Sequence, residues 1–361
     1  MPTVIPFASR LRAPHRDHCF AMDDYWLWCG SMAHDDTGLW HLFASRWPRS
    51  LPFFDGYKVA SEVIRATAPA PEGPWTFAEV VLPDRGPDCW DGRMTHNPVV
   101  LRAAGRWWLF YIGATYPGAR PTAAQLAQGW PELLPTFRRI RIGCAVADQP
   151  QGPWQRPDTP YLDSRAGGWD DGVVTNPAPC LAPDGRLLLL YRGNMVDTQG
   201  VYQGSALGLA TAPAPGQPPD HRCHQPIFFG DLANRIEDPC LWWDGQGYQM
   251  IAKDLTGALA GAHGYGVHAW SPDGAHWHLA VPPRAWQHDI TWADGGQQQL
   301  GSLERPQLVF AHGGHEPSHL VCAMGDGSGS RFWQDMTRSW CQIIPLGGVG
   351  SAGNGIALRN R

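Results

Sequence analysis

One pattern recurs along this 361-residue chain and limits what the chain can fold into. Each copy contains a polar pair, a proline, an apolar strand, a glycine-containing turn and a second apolar strand, which is the signature of a β-hairpin. Repeated hairpins of one design indicate a repeat architecture. The copies read HNPVVLRAAGRWWLFYIG from His96, TNPAPCLAPDGRLLLLYRG from Thr175, EDPCLWWDGQGYQMIAKD from Glu237 and ERPQLVFAHGGHEPSHLVCAMG from Glu304.

A fifth segment fits the pattern without the proline. It reads DDYWLWCGSMAHDDTGLWHLFAS and begins at Asp23. In this alignment the second residues of the five pairs follow each other at intervals of 73, 79, 62 and 67 residues. These second residues are Asp24, Asn97, Asn176, Asp238 and Arg305.

The hairpins belong to larger units. A further strand and turn follow them, as in IGCAVADQPQGPW, and Trp-Asp precedes Asn-Pro at the same distance in WDGRMTHNP and WDDGVVTNP. Units of 60 to 80 residues with about four strands each predict an all-β fold, a five-bladed β-propeller with four-stranded antiparallel blades around a central funnel. We expect residues 1–361 to form this single domain, with a strand from residues 1–20 completing the last blade.

The five polar pairs should meet at one mouth of the channel, because the first strand of a propeller blade is innermost. Long segments at 116–139 and 284–303 are expected to narrow the funnel into a pocket. The Trp-Asp units at Asp91 and Asp170 are more typical of blade packing than of substrate contact. The second strand of each hairpin returns to the same mouth and should bring with it Arg46, Tyr111, Arg192 and Lys253.

Composition narrows the classes of function. The 28 Lys and Arg against 33 Asp and Glu leave a net charge of −5 without a basic run, which argues against a nucleic-acid partner. No apolar run has the length of a membrane span or a signal peptide, so we expect no membrane partner and a cytoplasmic location. The nine cysteines lack metal-binding spacing, which predicts reduced thiols, no metal and no cofactor. The oligomeric state is left open.

Five blades with carboxylates at the strand starts resemble the glycoside hydrolases of families 43, 32, 68 and 117, over essentially the whole chain. In family 43 an Asp of the first blade is the general base, and a Glu two residues before a fourth-blade proline is the general acid. The resemblance therefore implies Asp24 as the base and Glu237 as the acid. Asn176 stands where family 43 has a pKa-modulating Asp, so Asp238 or Asp170 takes that role.

The chemistry requires one protonated carboxyl group, which gives a proton to the leaving oxygen, and one ionised carboxylate. Asp23 is the alternative to Asp24, and Glu304 is the alternative acid because it has the same place one blade on. His96 is a third candidate, since a His donates the proton in family 117. Asp24 and Glu237 should face each other across the funnel, which predicts the wide carboxylate separation of inverting enzymes.

A set of cationic groups lies opposite the carboxylates in this interpretation. These groups either balance the carboxylates or bind an anionic group such as a uronic acid, a sulfated sugar or inorganic phosphate. Phosphate would make the protein a glycoside phosphorylase resembling family 130. The set is Arg46, Arg192, Lys253, Arg305 and His96.

The sequence thus predicts an exo-acting, inverting glycoside hydrolase that removes a terminal sugar, acidic or furanosidic, from an oligo- or polysaccharide. A phosphorylase and a non-catalytic sugar-binding propeller are the alternatives. The predicted partner is a carbohydrate. The predicted catalytic residues are Asp24, Glu237 and Asp238, and the predicted substrate-binding residues are Asp23, Arg46, His96, Asn97, Asn176, Arg192, Lys253, Glu304 and Arg305.

Overall fold

The computed structural model describes residues 4–196, 202–227, 236–311 and 314–348. The chain forms five antiparallel sheets arranged as blades in a ring, so the predicted five-bladed β-propeller is confirmed. The first strands of the five blades contact one another in order around the ring. This arrangement brings the five repeated polar pairs to a common channel.

The strands of the described ranges are largely buried, because most of them are covered on both faces by neighbouring blades. In chain order they are β1 (Cys19–Phe20), β2 (Tyr25–His34), β3 (Trp40–Pro48), β4 (Glu62–Ala68), β5 (Thr76–Leu82), β6 (Met94–Ala103), β7 (Arg106–Ala114), β8 (Arg141–Ala147), β9 (Val174–Leu181), β10 (Leu187–Val196), β11 (Tyr202–Ala212), β12 (His221–Arg222), β13 (Ile236–Trp243), β14 (Tyr248–Asp254), β15 (Gly266–Ser271), β16 (His278–Trp286), β17 (Asp289–Thr291), β18 (Gln297–Gln299), β19 (Ser302–Phe310), β20 (Pro317–Gly325) and β21 (Ser339–Pro345).

The blades follow the chain order. Blade 1 is β2 to β5, blade 2 is β6 to β8, blade 3 is β9 to β12, blade 4 is β13 to β16, and blade 5 is β19 to β21 with β1. Blade 2 departs from the four-stranded prediction, because single bridges from Gln155 and Leu162 take the place of its outer strand. Four prolines between residues 150 and 160 remove backbone N–H donors there, which explains the loss of a continuous strand.

The N-terminal segment closes the ring, as expected from the shortage of strands in the last repeat. In β1, Cys19 pairs with Gln342 and Phe20 pairs with Cys341 of β21. The buried Gln342 amide also donates to the backbone oxygens of His15 and His18, at 2.8 and 2.9 Å. The strands β1 and β21 are therefore held together in one sheet.

The two Trp-Asp units pack the blades. Asp91 and Asp170 are fully buried, and each accepts a hydrogen bond from a tyrosine hydroxyl, Tyr111 at 2.6 Å and Tyr191 at 2.7 Å. A Cβ at Gly113 would lie 2.3 Å from that of Asp91, so the close approach requires glycine. Each carboxylate is also paired with two arginines, Arg85 and Arg156 for Asp91, and Arg165 and Arg222 for Asp170.

Five helical segments accompany the described strands, and three of them, Phe53–Ala60, Leu133–Arg138 and the 3₁₀ segment Gly329–Gln334, line the channel mouth. Helix α1 (Phe53–Ala60) joins β3 to β4, and a 3₁₀ segment (Gly329–Gln334) joins β20 to β21. Helices α2 (Ala123–Ala127) and α3 (Leu133–Arg138) lie in the expected segment 116–139, and α2 begins with a capping box. The segment 284–303 instead holds the end of β16 and the β17–β18 hairpin. A second 3₁₀ segment is Phe7–Arg10.

None of the nine cysteines, all of which lie in the described ranges, is joined in a disulfide. Six of them are buried. Among the helices that the structure describes, none has the length and apolar character needed to span a membrane.

Candidate active site

Each innermost strand contains one residue in a left-handed backbone conformation. These residues have φ values of 53–61°, and the strand ladder shifts its register around each of them. A positive φ is unfavourable for residues other than glycine, and its recurrence in every blade marks a position that the fold requires. The five residues are Cys29, Asn97, Asn176, Asp238 and Arg305.

The structure corrects the sequence alignment in blade 1. Cys29, and not Asp24, occupies the repeated position, and Gly30 stands where the other blades have proline. The alignment was five residues out because blade 1 lacks the proline. Asp23 and Asp24 are exposed in the turn before β2, and neither lines the cavity described below. They contact Arg49 through their backbone oxygens.

The second strand of each hairpin directs every other side chain toward the channel. Arg192 and Lys253 lie opposite Thr175 and Glu237 and reach the channel as predicted. The corresponding residues of the first two blades are Ser45 and Ile112, one position away from the predicted Arg46 and Tyr111. Successive side chains of a strand point to opposite faces, so the predicted pair faces away from the channel. Arg46 is instead bound to Glu62 at 2.8 Å.

The five left-handed residues form an axial ring of side chains, one from each blade. The Cys29 thiol donates to Asn97 Oδ1 at 2.9 Å, and Asn97 donates to Asn176 Oδ1 at 3.2 Å. Asn176 and Arg305 both donate to Asp238 Oδ1, at 2.5 and 2.7 Å. Arg305 also approaches Cys29, which completes the ring. Because all five residues are buried, the axial ring closes the channel and ties the blades together.

A cavity of about 520 Å³ lies on the side of the axial ring where the innermost strands begin. The first residues of the repeated pairs line its base: Trp28, His96, Thr175, Glu237 and Glu304. Polar groups are therefore concentrated at the bottom. The walls are mostly apolar and include Trp47, Phe53, Phe54, Tyr57, Ile112, Phe137, Ile140, Leu255, Phe332 and Trp333.

Two glutamates share one ammonium group at the base of the cavity. Lys253 Nζ lies 3.0 Å from Glu237 Oε1 and 2.5 Å from Glu304 Oε1. Arg192 Nη1 holds the other oxygen of Glu237 at 2.5 Å. The two glutamates therefore differ in their surroundings, since Glu237 contacts two cations and Glu304 contacts one.

The difference separates the pKa values of the two carboxyl groups. Burial by itself would raise the pKa of Glu237, but Arg192, Lys253 and Arg305 outweigh it and hold that pKa at about 2. Burial raises the pKa of Glu304 to about 7, with the negative charges of Asp238 and Glu237 adding to the effect and Lys253 opposing it. Near neutral pH the site thus holds one ionised glutamate and one that keeps its proton.

We expect the contribution of Glu304 to the stability of the protein to fall between pH 4.5 and about 7, because the unfolded chain releases the Glu304 proton at 4.5 whereas the folded chain retains it to about 7. Above that range both states are ionised and the decline ends. Urea unfolding midpoints across this range will measure the effect, and Glu304→Gln should abolish the decline attributable to this group. The exposed Glu316→Gln serves as control. If the stability of Glu304→Gln depended on pH in the same way as that of the wild type across this range, the assignment would be wrong.

His96 lines the cavity in a buried, aromatic environment. Its Nδ1 lies 2.8 Å from Ser61 Oγ, and its ring stacks on Tyr57 at 4.8 Å. Burial, together with the charge of Arg305, lowers the pKa of His96 well below the usual value. The neutral ring has no imidazolium proton to give to a leaving group, so this environment disfavours His96 as the acid.

Several cavity residues were not predicted from the sequence. Leu255 and His263 belong to the loop after β14, and fully buried Asp254 anchors this loop by accepting four backbone N–H bonds. The turn signal Asp-Leu-Thr-Gly after Lys253 is the only hint of this loop in the sequence. Asn194 and the aromatic walls have no such signal, because their positions depend on packing.

One group of metal-ligating side chains occurs among the described residues. Ligand atoms of His15, Asp17 and His18 lie within 4.8 Å of one another near the protein surface. None of the three lines the cavity.

No family model and no curated protein matches the sequence. Solved structures match over nearly the whole chain. A family 117 glycoside hydrolase from the marine bacterium Zobellia galactanivorans is 15% identical with a TM-score of 0.59, over 92% of this chain and 88% of that one. A second structure, described as a glycoside hydrolase, is 14% identical with a TM-score of 0.65, over 95% of this chain and 94% of that one.

An arabinanase of Bacillus subtilis, Arb43A, is 11% identical to the chain with a TM-score of 0.54, over 91% of this chain and 96% of that one. At these identities the likenesses concern the fold. They agree with the five-bladed propeller that the sequence repeat predicts.

Proposed function

We propose that this protein is a glycoside hydrolase that acts with retention of configuration on a terminal sugar. The observation that carries the proposal is the pair Glu237 and Glu304, which both contact Lys253 in one cavity. The pKa of Glu237 is lowered to about 2, whereas that of Glu304 is raised to about 7. Structures of similar fold are described as a family 117 glycoside hydrolase, as arabinanases, and as a β-xylosidase/α-arabinofuranosidase in complex with xylotriose.

The pKa values assign the roles. Glu304 keeps its proton to about pH 7 and donates it to the leaving oxygen. Glu237 is ionised and attacks the anomeric carbon, so a covalent glycosyl-enzyme forms as the leaving group departs with the proton. Glu304, now ionised, then takes a proton from the water that hydrolyses the intermediate. Lys253 positions both carboxylates and keeps Glu237 ionised.

The geometry favours retention over inversion. Both glutamates contact the same Nζ, at 3.0 and 2.5 Å, so their contacting oxygens lie no farther apart than these two distances combined. Retaining enzymes hold the two carboxyl groups roughly 5–5.5 Å apart, whereas inverting enzymes need about 6.5–9.5 Å to admit a water. The predicted inversion depended on Asp24, which does not line the cavity.

The shape of the cavity supports action on a chain end. Helices α1 and α3 and the segment Gly329–Gln334 contribute walls over the base through Phe53, Phe137 and Phe332. A saccharide that enters from the mouth would place its terminal ring at the glutamates.

Charge pairing favours hydrolysis over phosphorolysis. Arg192, Lys253 and Arg305 each contact a carboxylate at 2.5–3.0 Å, so inorganic phosphate would have to compete with Glu237, Asp238 or Glu304 for them. A purely sugar-binding propeller would not need a buried glutamate that retains its proton. The hydrolase is therefore the function that best accounts for the site.

Proton NMR of the first products tests the proposal. A panel of aryl glycosides is incubated with the protein, with and without inorganic phosphate. We expect the released sugar to have the anomeric configuration of the substrate, at a rate that phosphate does not change. An initial product of opposite configuration would overturn retention, a sugar 1-phosphate would indicate a phosphorylase, and binding without turnover would indicate a sugar-binding protein.

A further inference from the structure

The wall formed by blade 3 contains a polar side chain that the proposed mechanism does not use. Asn194 lies on β10 two residues after Arg192, which places both side chains on one face of the strand. It lines the cavity and is 4% exposed. Its backbone is fixed, because its N–H donates to Val173 O at 2.8 Å and its C=O accepts from Gly172 N at 3.1 Å.

The side-chain oxygen of Asn194, unlike its backbone groups, has no hydrogen-bond partner within the part of the chain that the structure describes. This atom, Oδ1, is buried. Ser205 lies directly opposite on β11 and is 1% exposed. Its hydroxyl group is also buried and makes no hydrogen bond among the described residues. Two adjacent buried polar groups without partners are unfavourable, because neither recovers the hydrogen bonds that it made to water in the unfolded chain.

The other amides of the cavity show that this condition is specific to Asn194. Asn97 and Asn176 belong to the axial ring and have hydrogen-bond partners on both sides. Buried polar groups of folded proteins are nearly always satisfied, and an exception marks a strained or functional position or a place where a water, an ion or a ligand supplies the partner. A cavity lies against Asn194, so a ligand can supply that partner.

We infer that Asn194 is a specificity-determining residue that hydrogen-bonds one hydroxyl group of the bound sugar. This inference rests on the proposed carbohydrate-processing function and extends it. An amide presents its oxygen or, after a half-turn, its NH₂ group, so it serves a hydroxyl group as acceptor or donor. Ser205, which pairs with Asn194 across the two strands, is a second buried polar group beside this position.

A site built to hydrogen-bond a hydroxyl group rejects an analogue that lacks it, because the amide is then left buried without a partner. We therefore expect one monodeoxy analogue of the substrate to lose about 10- to 100-fold in kcat/KM with the wild-type protein. The remaining monodeoxy analogues should lose less. Asn194→Ala should lower kcat/KM on the parent glycoside by a similar factor and should no longer distinguish that one analogue from the parent.

The experiment compares the wild type, Asn194→Ala, Asn194→Asp and a matched control. The control is Ser302→Ala, because Ser302 also has a buried hydroxyl group without a partner among the described residues but does not line the cavity. The probes are the aryl glycoside that the wild type hydrolyses fastest, or binds most tightly if none is hydrolysed, and its monodeoxy analogues. Asn194→Asp keeps the shape of the side chain if the alanine variant does not fold. Ser302→Ala should retain the full discrimination.

Binding provides a second readout that does not depend on turnover. Calorimetric titration of Glu237→Gln, alone and combined with Asn194→Ala, uses the same glycosides. If no glycoside is hydrolysed but Glu237→Gln discriminates the analogue and the double variant does not, the hydrolase proposal fails and the inference stands. The inference would be overturned if the Asn194 variants, relative to the wild type, lost equally in kcat/KM or affinity on the parent glycoside and on every analogue. It would also be overturned if no sugar bound.

Discussion

Replacing Glu304 with Gln is expected to lower kcat/KM by about 10²- to 10⁴-fold on glycosides with poor leaving groups, because these require a proton from the acid. Activated aryl glycosides should lose far less, since their leaving groups depart without protonation. The dependence of kcat/KM on leaving-group pKa measures this difference. The raised pKa of Glu304, about 7, also predicts that wild-type activity falls above that pH, and the variant should lose this limb of the profile.

Glu237→Gln should instead abolish turnover of every glycoside, by about 10⁴-fold or more, because the attacking carboxylate is gone. Asp24→Asn is the matched control, since Asp24 is exposed and outside the cavity, and its activity should stay close to that of the wild type. If Asp24→Asn were inactive and Glu304→Gln fully active, the base would be in blade 1 and the mechanism proposed for Glu237 and Glu304 would be wrong.

Arg305→Met is expected to destabilise the protein by about 3–5 kcal/mol, because it leaves the Asp238 carboxylate buried without its cation. Arg305 Nη1 contacts Asp238 Oδ1 at 2.7 Å, and their side chains are 7% and 5% exposed. The double variant Arg305→Met, Asp238→Asn should recover part of the loss, because no uncompensated charge remains on this pair. The free energy of unfolding in urea measures both effects.

Arg106→Met provides the comparison for this prediction. Arg106 contacts Asp148 at 2.9 Å, but the two side chains are 38% and 80% exposed. Exposed ion pairs contribute about 0–1 kcal/mol, so this variant should be nearly as stable as the wild type. Equal stability of Arg305→Met and Arg106→Met would show that the axial ring does not hold the blades together.

The repeat was sufficient to predict the propeller and most of the axial ring. Asn97, Asn176, Asp238 and Arg305 precede prolines, and proline interrupts a strand ladder in a way that is visible in the sequence. The ring position of blade 1 was missed because Gly30 replaces the proline there. Glycine permits the same bulge but occurs in too many other settings to identify it.

The alternation of side chains between the two faces of a strand limited the prediction of the cavity residues. Arg192 and Lys253 were predicted correctly as cavity residues, whereas Arg46 belongs to the opposite face of its strand. One residue of error in register exchanges the two faces, and a bulge introduces such an error without changing the hydrophobic pattern nearby. The sequence therefore contained the residue types of the site but not their orientation.

The sequence by itself determined the five blades, the ring closure by the N-terminal segment and the presence of Glu237 and Glu304 at equivalent places in neighbouring blades. These features follow from local patterns of prolines, glycines and apolar residues that recur in each repeat. Only the tertiary structure decided that Asp24 lies outside the cavity, that Lys253 contacts both glutamates, and that Asn194 faces the cavity without a partner among the described residues. Burial and charge pairing set the pKa values and the unmet hydrogen bonds, and both depend on residues that are far apart in the chain and meet only when the blades close into a ring.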